Sequence, residues 1–80
     1  MKIYNFNGKN NICGKRVKTA RKALGISQTD MAARLQLSGV IIERDSVSRI
    51  ELGTRFVADY ELLAISKVLG VTPAFLLGLE

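Results

Sequence analysis

The 80-residue sequence predicts an all-α fold, a compact domain of five short helices preceded by a short N-terminal arm. Three observations lead to this prediction. Apolar residues recur at helical spacing from Cys13 onward, glycines stand where helices would end, and residues that favour helix N-termini precede several apolar stripes. Hydrophobic residues make up 48% of the chain and charged residues 24%, a composition typical of a chain that folds around a core.

Residues 1–12 are predicted to form an arm rather than a domain. Lys2–Phe6 alternates apolar and polar residues over a run long enough for only one short strand, and Asn7-Gly8 is a strong turn signal. Helix 1 then begins, and its apolar stripe and C-terminal glycine are Cys13, Val17, Ala20, Leu24 and Gly25.

Helix 2 is predicted to begin after Ser27, a good N-cap, with Asp30 three residues on as the second member of a capping box. Ser38-Gly39 ends it. Its buried stripe is Met31, Ala32 and Leu35. The small Ala32 side chain lets helix 2 approach helix 3 closely.

Helix 3 is predicted from about Arg44 to Leu52, with Val47 and Ile50 buried and Gly53 at its end. The segment before it is an apolar, β-branched loop of Val40, Ile41 and Ile42. Because apolar side chains are poorly accommodated in water, we expect at least one of these three to pack onto the domain.

The last two helices are predicted from caps and spacing. Asp59 would cap helix 4, which ends at Gly70. Thr72 and Pro73 supply an N-cap and a first helical residue for a short helix 5 that runs through Leu77. The buried stripe of helix 4 is Leu62, Ile65, Ser66 and Leu69.

The charge distribution indicates an anionic partner. The net charge is +5, and seven of the twelve basic residues precede the first acidic residue, Asp30. Nucleic acid is the leading candidate, and the alternative is an ordinary solvated basic helix face. The seven basic residues are Lys2, Lys9, Lys15, Arg16, Lys18, Arg21 and Lys22.

Composition argues against several other classes. The chain has no histidine and a single cysteine, Cys13, so neither an intramolecular disulfide nor a zinc site is expected, and no catalytic residue, cofactor or small-molecule ligand is evident. No run is long enough to span a membrane, and Met1–Phe6 lacks the apolar core of a signal peptide. We expect a cytoplasmic protein without enzymatic activity.

The exposed side of helix 3 carries the side chains best suited to reading DNA bases. With Val47 and Ile50 facing inward, the outer face consists of Arg44, Asp45, Ser48 and Arg49. Arginine can donate two hydrogen bonds to guanine, and aspartate can accept one from cytosine. The alternative is a solvated helix face without function.

Three runs in this order resemble the phage repressor and Cro family of helix-turn-helix proteins, XRE type. They are residues 28–35 (Gln-Thr-Asp-Met-Ala-Ala-Arg-Leu), 48–53 (Ser-Arg-Ile-Glu-Leu-Gly) and 60–71 (Tyr-Glu-Leu-Leu-Ala-Ile-Ser-Lys-Val-Leu-Gly-Val). The resemblance covers roughly residues 14–78. Two features depart from the family pattern: the link between helices 2 and 3 is longer by about five residues than the usual turn, and Leu52 replaces a polar residue.

The resemblance implies a lambda-repressor-like DNA-binding domain over residues 13–78, a tail at 79–80, and double-stranded DNA as the partner. It implies that Arg44, Asp45, Ser48 and Arg49 read bases. The residues expected to contact DNA phosphates are Gln28, Thr54, Arg55 and Arg21.

Arg21 also occupies a position that pairs with Glu51 in relatives. An arginine beside the stripe of helix 1 and a glutamate at the end of helix 3 are suited to a bidentate ion pair that orients helix 3. The alternative for Glu51 is an ordinary surface carboxylate.

The resemblance also implies a homodimer, since family members commonly associate through the C-terminal end. Phe75 and Leu77 are the candidate dimer surface, although Phe75 could instead close the core. Ile3, Tyr4 and Phe6 are expected to form a strap over the domain, with exchange between protomers or a basic arm along DNA as alternatives.

Two functions follow from these observations. The first is a sequence-specific transcriptional regulator of the phage or bacterial repressor type, with helix 3 in the major groove. The alternative is a protein-interaction or antitoxin-like module that keeps the fold and binds operators weakly or not at all.

Overall fold

A computed structural model describes residues 5–80, and five α-helices lie within this range. They are α1 (Gly14–Leu24), α2 (Gln28–Leu37), α3 (Arg44–Leu52), α4 (Asp59–Leu69) and α5 (Pro73–Leu76). Apart from an isolated bridge between Phe6 and Lys9, the described residues contain no strand pairing, and none of the five helices is long and apolar enough to cross a membrane. The predicted all-α class is confirmed.

The core lies between α1, α2, α3 and α4, and α5 covers one side of it. The helix α1 packs against α3, α4 and α5, whereas α2 packs against α3 and α4. Burying a large aliphatic side chain contributes ~1.5–3 kcal/mol, so these contacts hold α3 firmly in the domain. The largest fully buried side chains are Met31, Leu35, Ile50, Ile65, Leu76, Val17 and Val47.

The predicted capping box begins α2. The Ser27 hydroxyl accepts a hydrogen bond from the Asp30 backbone N–H at 3.0 Å, and the Asp30 carboxylate accepts one from the Ser27 backbone N–H at 3.2 Å. The Ser27 backbone N–H and hydroxyl hold the pKa of Asp30 below its ordinary value. These bonds satisfy backbone N–H groups that have no partner within the helix. The first helical residue is Gln28.

Two sequence predictions about helix faces and ends are wrong. Leu24 is exposed, although it lies at the end of the side of α1 that buries Val17, Ala20 and Arg21. Asp59 is the first residue of α4 rather than its cap. The start of α4 is held by Glu61, whose carboxylate accepts a hydrogen bond from the Ala58 N–H at 3.0 Å.

The apolar loop before α3 is anchored as expected. Ile42 is only 3% exposed and belongs to the core, and Val40 packs against the core from its margin. The Val40 N–H also donates to the Leu35 carbonyl at 3.1 Å. Ile41 points outward and is 65% exposed. The two buried or partly buried side chains therefore tie the start of α3 to the domain.

Lys9 and Asn10 attach the segment before α1 to the end of α3 through polar contacts, whereas the strap was expected from Ile3, Tyr4 and Phe6. Asn7 and Gly8 form the predicted turn, with φ values of 52° and 78°. Phe6 is exposed, whereas the Lys9 ammonium donates to the Leu52 carbonyl at 3.2 Å and the Asn10 N–H donates to the Gly53 carbonyl at 2.7 Å. The other two expected strap residues, Ile3 and Tyr4, lie outside the described residues.

Candidate nucleic-acid interface

The outer face of α3 presents the four side chains predicted to read bases. Val47, Ile50 and Glu51 are buried on the inner face. Helical periodicity then turns the opposite face outward. Of the four side chains on that face, Ser48 is half-buried, and the exposed ones are Arg44, Asp45 and Arg49.

The side chains of Arg44 and Asp45 do not extend independently from the start of α3. One guanidinium nitrogen of Arg44 donates to Asp45 Oδ1 at 2.6 Å, in an ion pair open to solvent. This pairing was not evident from the sequence, because adjacent residues of a helix ordinarily point in different directions.

The orientation of α3 is held by Arg21, Gln28 and Glu51, which we call the interhelical cluster. Arg21 on α1 donates to Glu51 on α3 through Nε at 2.6 Å and through Nη2 at 3.0 Å. Gln28 at the start of α2 donates to the same carboxylate at 3.1 Å. One carboxylate therefore connects three helices. The two hydrogen bonds that Arg21 donates to Glu51 also raise the pKa of Arg21.

The expected phosphate contact through Arg21 is wrong. Its guanidinium is buried, and its remaining Nη1 donates to the Ile26 carbonyl at 2.9 Å. All three guanidinium nitrogens are thus engaged inside the domain. Gln28 is half-buried, yet it lies at the N-terminus of α2, where free backbone N–H groups favour an anion.

Arg55 makes a second bidentate ion pair, which sequence reasoning missed. It donates to the two oxygens of Glu61 at 3.0 Å and 3.1 Å and to the Phe56 carbonyl at 3.0 Å. Burial opposes ionisation of Glu61, but the hydrogen bonds from Arg55 and from the Ala58 N–H outweigh it, so the pKa of Glu61 lies below its ordinary value. Arg55 therefore holds the connection between α3 and α4, which leaves less of its charge for a phosphate.

Thr54 follows the end of α3 and is exposed. Its hydroxyl donates to the Arg49 carbonyl at 3.3 Å, and its own carbonyl accepts from the Asn10 side chain at 3.0 Å. Gly53, which precedes it, has a φ of 83° and ends α3 in the left-handed conformation that glycine adopts without strain.

Asn11 and Gly14 position the end of α3 and were also missed from the sequence. The Asn11 amide donates to the carbonyls of Ile50 at 3.1 Å and Arg55 at 2.8 Å, and its oxygen accepts from the Gly14 N–H at 2.9 Å. A Cβ on Gly14 would overlap the Ile50 carbonyl oxygen. An Asn three residues before a glycine at a helix start was the available signal.

The candidate dimer residues have different environments. Phe75 is half-buried and packs against the core, whereas Leu77 is exposed. Leu77 lines an open depression that we call the apolar cleft, together with Ile12, Phe56, Val57 and Leu62. The structure therefore retains Leu77 as a surface residue and assigns Phe75 mainly to the core.

No group of three or more His, Cys, Asp or Glu side chains in residues 5–80 is arranged to hold a metal ion. Cys13 is buried in the core, and burial raises the pKa of its thiol, which disfavours the reactive thiolate.

Solved structures with the same fold include two regulators. The P22 c2 repressor, crystallised with a synthetic operator, superposes with a TM-score of 0.72 at 28% sequence identity, over 88% of this chain and 98% of that one. The restriction-modification controller protein C.AhdI from Aeromonas hydrophila gives a TM-score of 0.69 at 30% identity, over 80% of this chain and 86% of that one. No match was found among curated protein sequences.

The helix-turn-helix family HTH_3 matches residues 17–76, which is most of the chain. The match begins within the first turn of α1, ends with α5 and includes the interhelical cluster. The resemblance inferred from the sequence motifs is confirmed by this match and by the two solved structures. The chain belongs to the helix-turn-helix family.

Proposed function

We propose that this protein is a sequence-specific, double-stranded DNA-binding transcriptional regulator of the repressor type. The observation that carries the proposal is the polar outer face of α3, where Arg44, Asp45 and Arg49 are exposed. Behind them the interhelical cluster holds the helix in place. A helix held in this way can enter the major groove as a rigid unit, which reduces the ordering cost of binding. Membership of the family and the operator-bound P22 c2 repressor agree with this function.

Gln28 and Thr54 lie near the two ends of the proposed interface. Gln28 begins α2, where backbone N–H groups are free to bind a phosphate of a duplex seated on α3. Thr54 follows α3, and its exposed hydroxyl would exchange the 3.3 Å hydrogen bond to the Arg49 carbonyl for one to a phosphate. Arg55 contributes chiefly by holding the loop between α3 and α4. Because phosphate contacts release counterions, the affinity for DNA should fall steeply with salt.

We further propose that the protein acts as a homodimer. Leu77, Ile12 and Phe56 are exposed together in the apolar cleft, and monomers that expose neighbouring large apolar side chains commonly cover them by association. A two-fold dimer would present two copies of α3 to half-sites about one helical turn of DNA apart.

One observation also favours the alternative, an interaction module without operator binding. Leu52 is exposed near the end of α3, beside the exposed Phe6, and both line a second surface depression. A protein partner would cover such residues, whereas DNA offers them little apolar surface. Retardation of random duplex DNA at low salt would favour the regulator, and its absence at micromolar protein would favour the interaction module.

The decisive experiment selects bound sequences from a random duplex pool and then measures affinity for the consensus and for random DNA. We expect a palindromic consensus, whose half-site spacing also tests the dimer. Arg49→Ala should cost about 1–3 kcal/mol on the consensus and much less on random DNA, because only the consensus offers Arg49 its base partner.

Arg34→Ala is the matched control, since Arg34 is also an exposed helical arginine but lies on α2. It removes the same charge and should leave the ratio of consensus to random affinity near the wild-type value. An Arg49→Ala variant that loses equal affinity for both DNAs would remove Arg49 from base reading.

A further inference from the structure

Arg44 and Asp45 open α3 with an ion pair that helix geometry does not favour. Successive residues of an α-helix are rotated by about 100° around its axis, so side chains at i and i+1 ordinarily diverge. The Arg44 guanidinium nevertheless donates to the Asp45 carboxylate at 2.6 Å. The long arginine stem must therefore bend across the helix surface toward its shorter neighbour.

The buried residues of α3 define the direction of this bend. Val47, Ile50 and Glu51 face the protein interior. With about 100° between residues, Asp45 lies almost opposite the centre of that buried face, whereas Arg44 projects from its edge, close to the direction of Glu51. The ion pair thus draws the guanidinium from the side of α3 toward the middle of its outer face.

We propose that Asp45 is a positioning residue that holds the Arg44 guanidinium at the centre of the outer face to read a guanine. It does not read a base pair of its own. This inference rests on the proposed function and replaces the sequence-based expectation that Arg44 and Asp45 read bases separately.

The remaining chemistry of the pair suits this role. Arginine carries five N–H donors in a planar fork, so one hydrogen bond to Asp45 leaves donors for O6 and N7 of guanine. The Arg44 and Asp45 side chains are 60% and 71% exposed, so the pair is accessible to a base edge. The positive end of the helix dipole also stabilises a carboxylate in the first turn and disfavours an unpaired cation there, which favours keeping the two together.

The test uses the consensus duplex selected by the wild-type protein and a set of duplexes in which each base pair is replaced in turn. Dissociation constants are measured for the wild type, Arg44→Ala, Asp45→Ala, Asp45→Asn and the double variant Arg44→Ala/Asp45→Ala. A bidentate arginine contact favours the correct base pair over a wrong one by roughly 5- to 150-fold in affinity. We expect Asp45→Ala to reduce this preference by about 5-fold or more, at the same base pair where Arg44→Ala reduces it.

Three further results are expected. The double variant should distinguish base pairs as well as Arg44→Ala alone does, because Asp45 acts through Arg44. Asp45→Asn should retain part of the discrimination, since its amide oxygen can still accept a hydrogen bond. Glu80→Ala, which removes a carboxylate from the exposed C-terminal residue, should leave discrimination unchanged at every base pair.

The proposal is overturned if Asp45→Ala relaxes a base pair different from the one that Arg44→Ala relaxes, because Asp45 then reads a base directly. Unchanged discrimination at every base pair in Asp45→Ala also overturns it. A wild-type protein that selects no sequence at all refutes the proposed function, and with it this inference. Circular dichroism melts confirm that each variant is folded.

Discussion

The carboxylate of Glu51 is the single group on which the angle of α3 most directly depends. It accepts three hydrogen bonds from side chains, two from Arg21 and one from Gln28. A buried ion pair contributes little net stability when intact, but removal of one partner leaves an uncompensated charge in the interior. We therefore expect Glu51 to act mainly by specifying one arrangement of α1, α2 and α3.

Glu51→Ala should lower the free energy of unfolding by about 3–5 kcal/mol, because it leaves the Arg21 guanidinium buried without its counterion. Urea denaturation followed by circular dichroism measures the loss. Glu43→Ala is the control: Glu43 is an exposed glutamate at the start of α3 whose side chain makes no capping hydrogen bond, so its removal should change stability by no more than about 0.5 kcal/mol.

The double variant Arg21→Met/Glu51→Leu should recover much of the stability lost in Glu51→Ala, because no buried charge remains. Equal losses in Glu51→Ala and Glu43→Ala would show that the Arg21 charge is solvated and that the interhelical cluster does not hold α3.

At the level of secondary-structure elements, the unusual feature is the lengthened link between α2 and α3. It is not a free loop, because Ile42 is inserted into the core and the Val40 N–H donates to the Leu35 carbonyl. On the other side of α3, Asn11 and Gly14 attach its last turn to the start of α1. Both ends of the proposed recognition helix are therefore fixed by contacts from outside the helix.

Ile42→Ala should destabilise the protein by about 2–5 kcal/mol, since it removes buried methyl groups and leaves a cavity beneath the start of α3. Ile41→Ala makes the same chemical change one residue earlier, at a position that is 65% exposed, and should alter stability by no more than about 0.5 kcal/mol. Thermal and urea unfolding compare the two. Similar costs at both positions would contradict the anchoring role of Ile42.

At the level of the whole molecule, a small domain with a net charge of +5 relies on a few carboxylates to balance its cations. Glu61 and Asp30 are held as carboxylates by Arg55 and by backbone N–H groups, and their pKa values lie below the ordinary ones. Protonating them removes these contacts and increases the positive charge that the folded chain must contain.

The stability of the protein should therefore decrease in acid. Folding lowers the pKa of Glu61 from its ordinary value of 4.5. The ionised carboxylate therefore contributes fully to the free energy of unfolding at neutral pH, and this contribution is lost as the pH falls below 4.5 through the lower pKa of the folded state. We expect Glu61→Gln to be less stable than the wild type at pH 7 and to show a shallower decline between about pH 5 and pH 3.

Urea titrations at a series of pH values measure this dependence. Glu43→Gln serves as the control, since Glu43 is exposed, and it should follow the wild-type decline. An unchanged slope in Glu61→Gln would show that the pair with Arg55 does not contribute to the acid sensitivity.

The sequence by itself determined the all-α class, the order of the helices and most of their ends. These depend on apolar spacing and on local capping groups such as Ser27 with Asp30 and Thr72 before Pro73, and such signals act within a few residues of the chain. The outer face of α3 followed from the same periodicity, and the ion pair between Arg21 and Glu51 from the family motif.

The tertiary structure decided which hydrogen bonds and ion pairs the charged side chains of the site make within the protein. It directs Arg21 wholly inward, ties Arg55 to Glu61, and joins Arg44 to Asp45. A long side chain has many rotamers of similar energy, and only the surrounding groups select among them. The sequence therefore identified the outward face of α3. Contacts with neighbouring residues decided which charged side chains, on α3 and next to it, remain available to a partner.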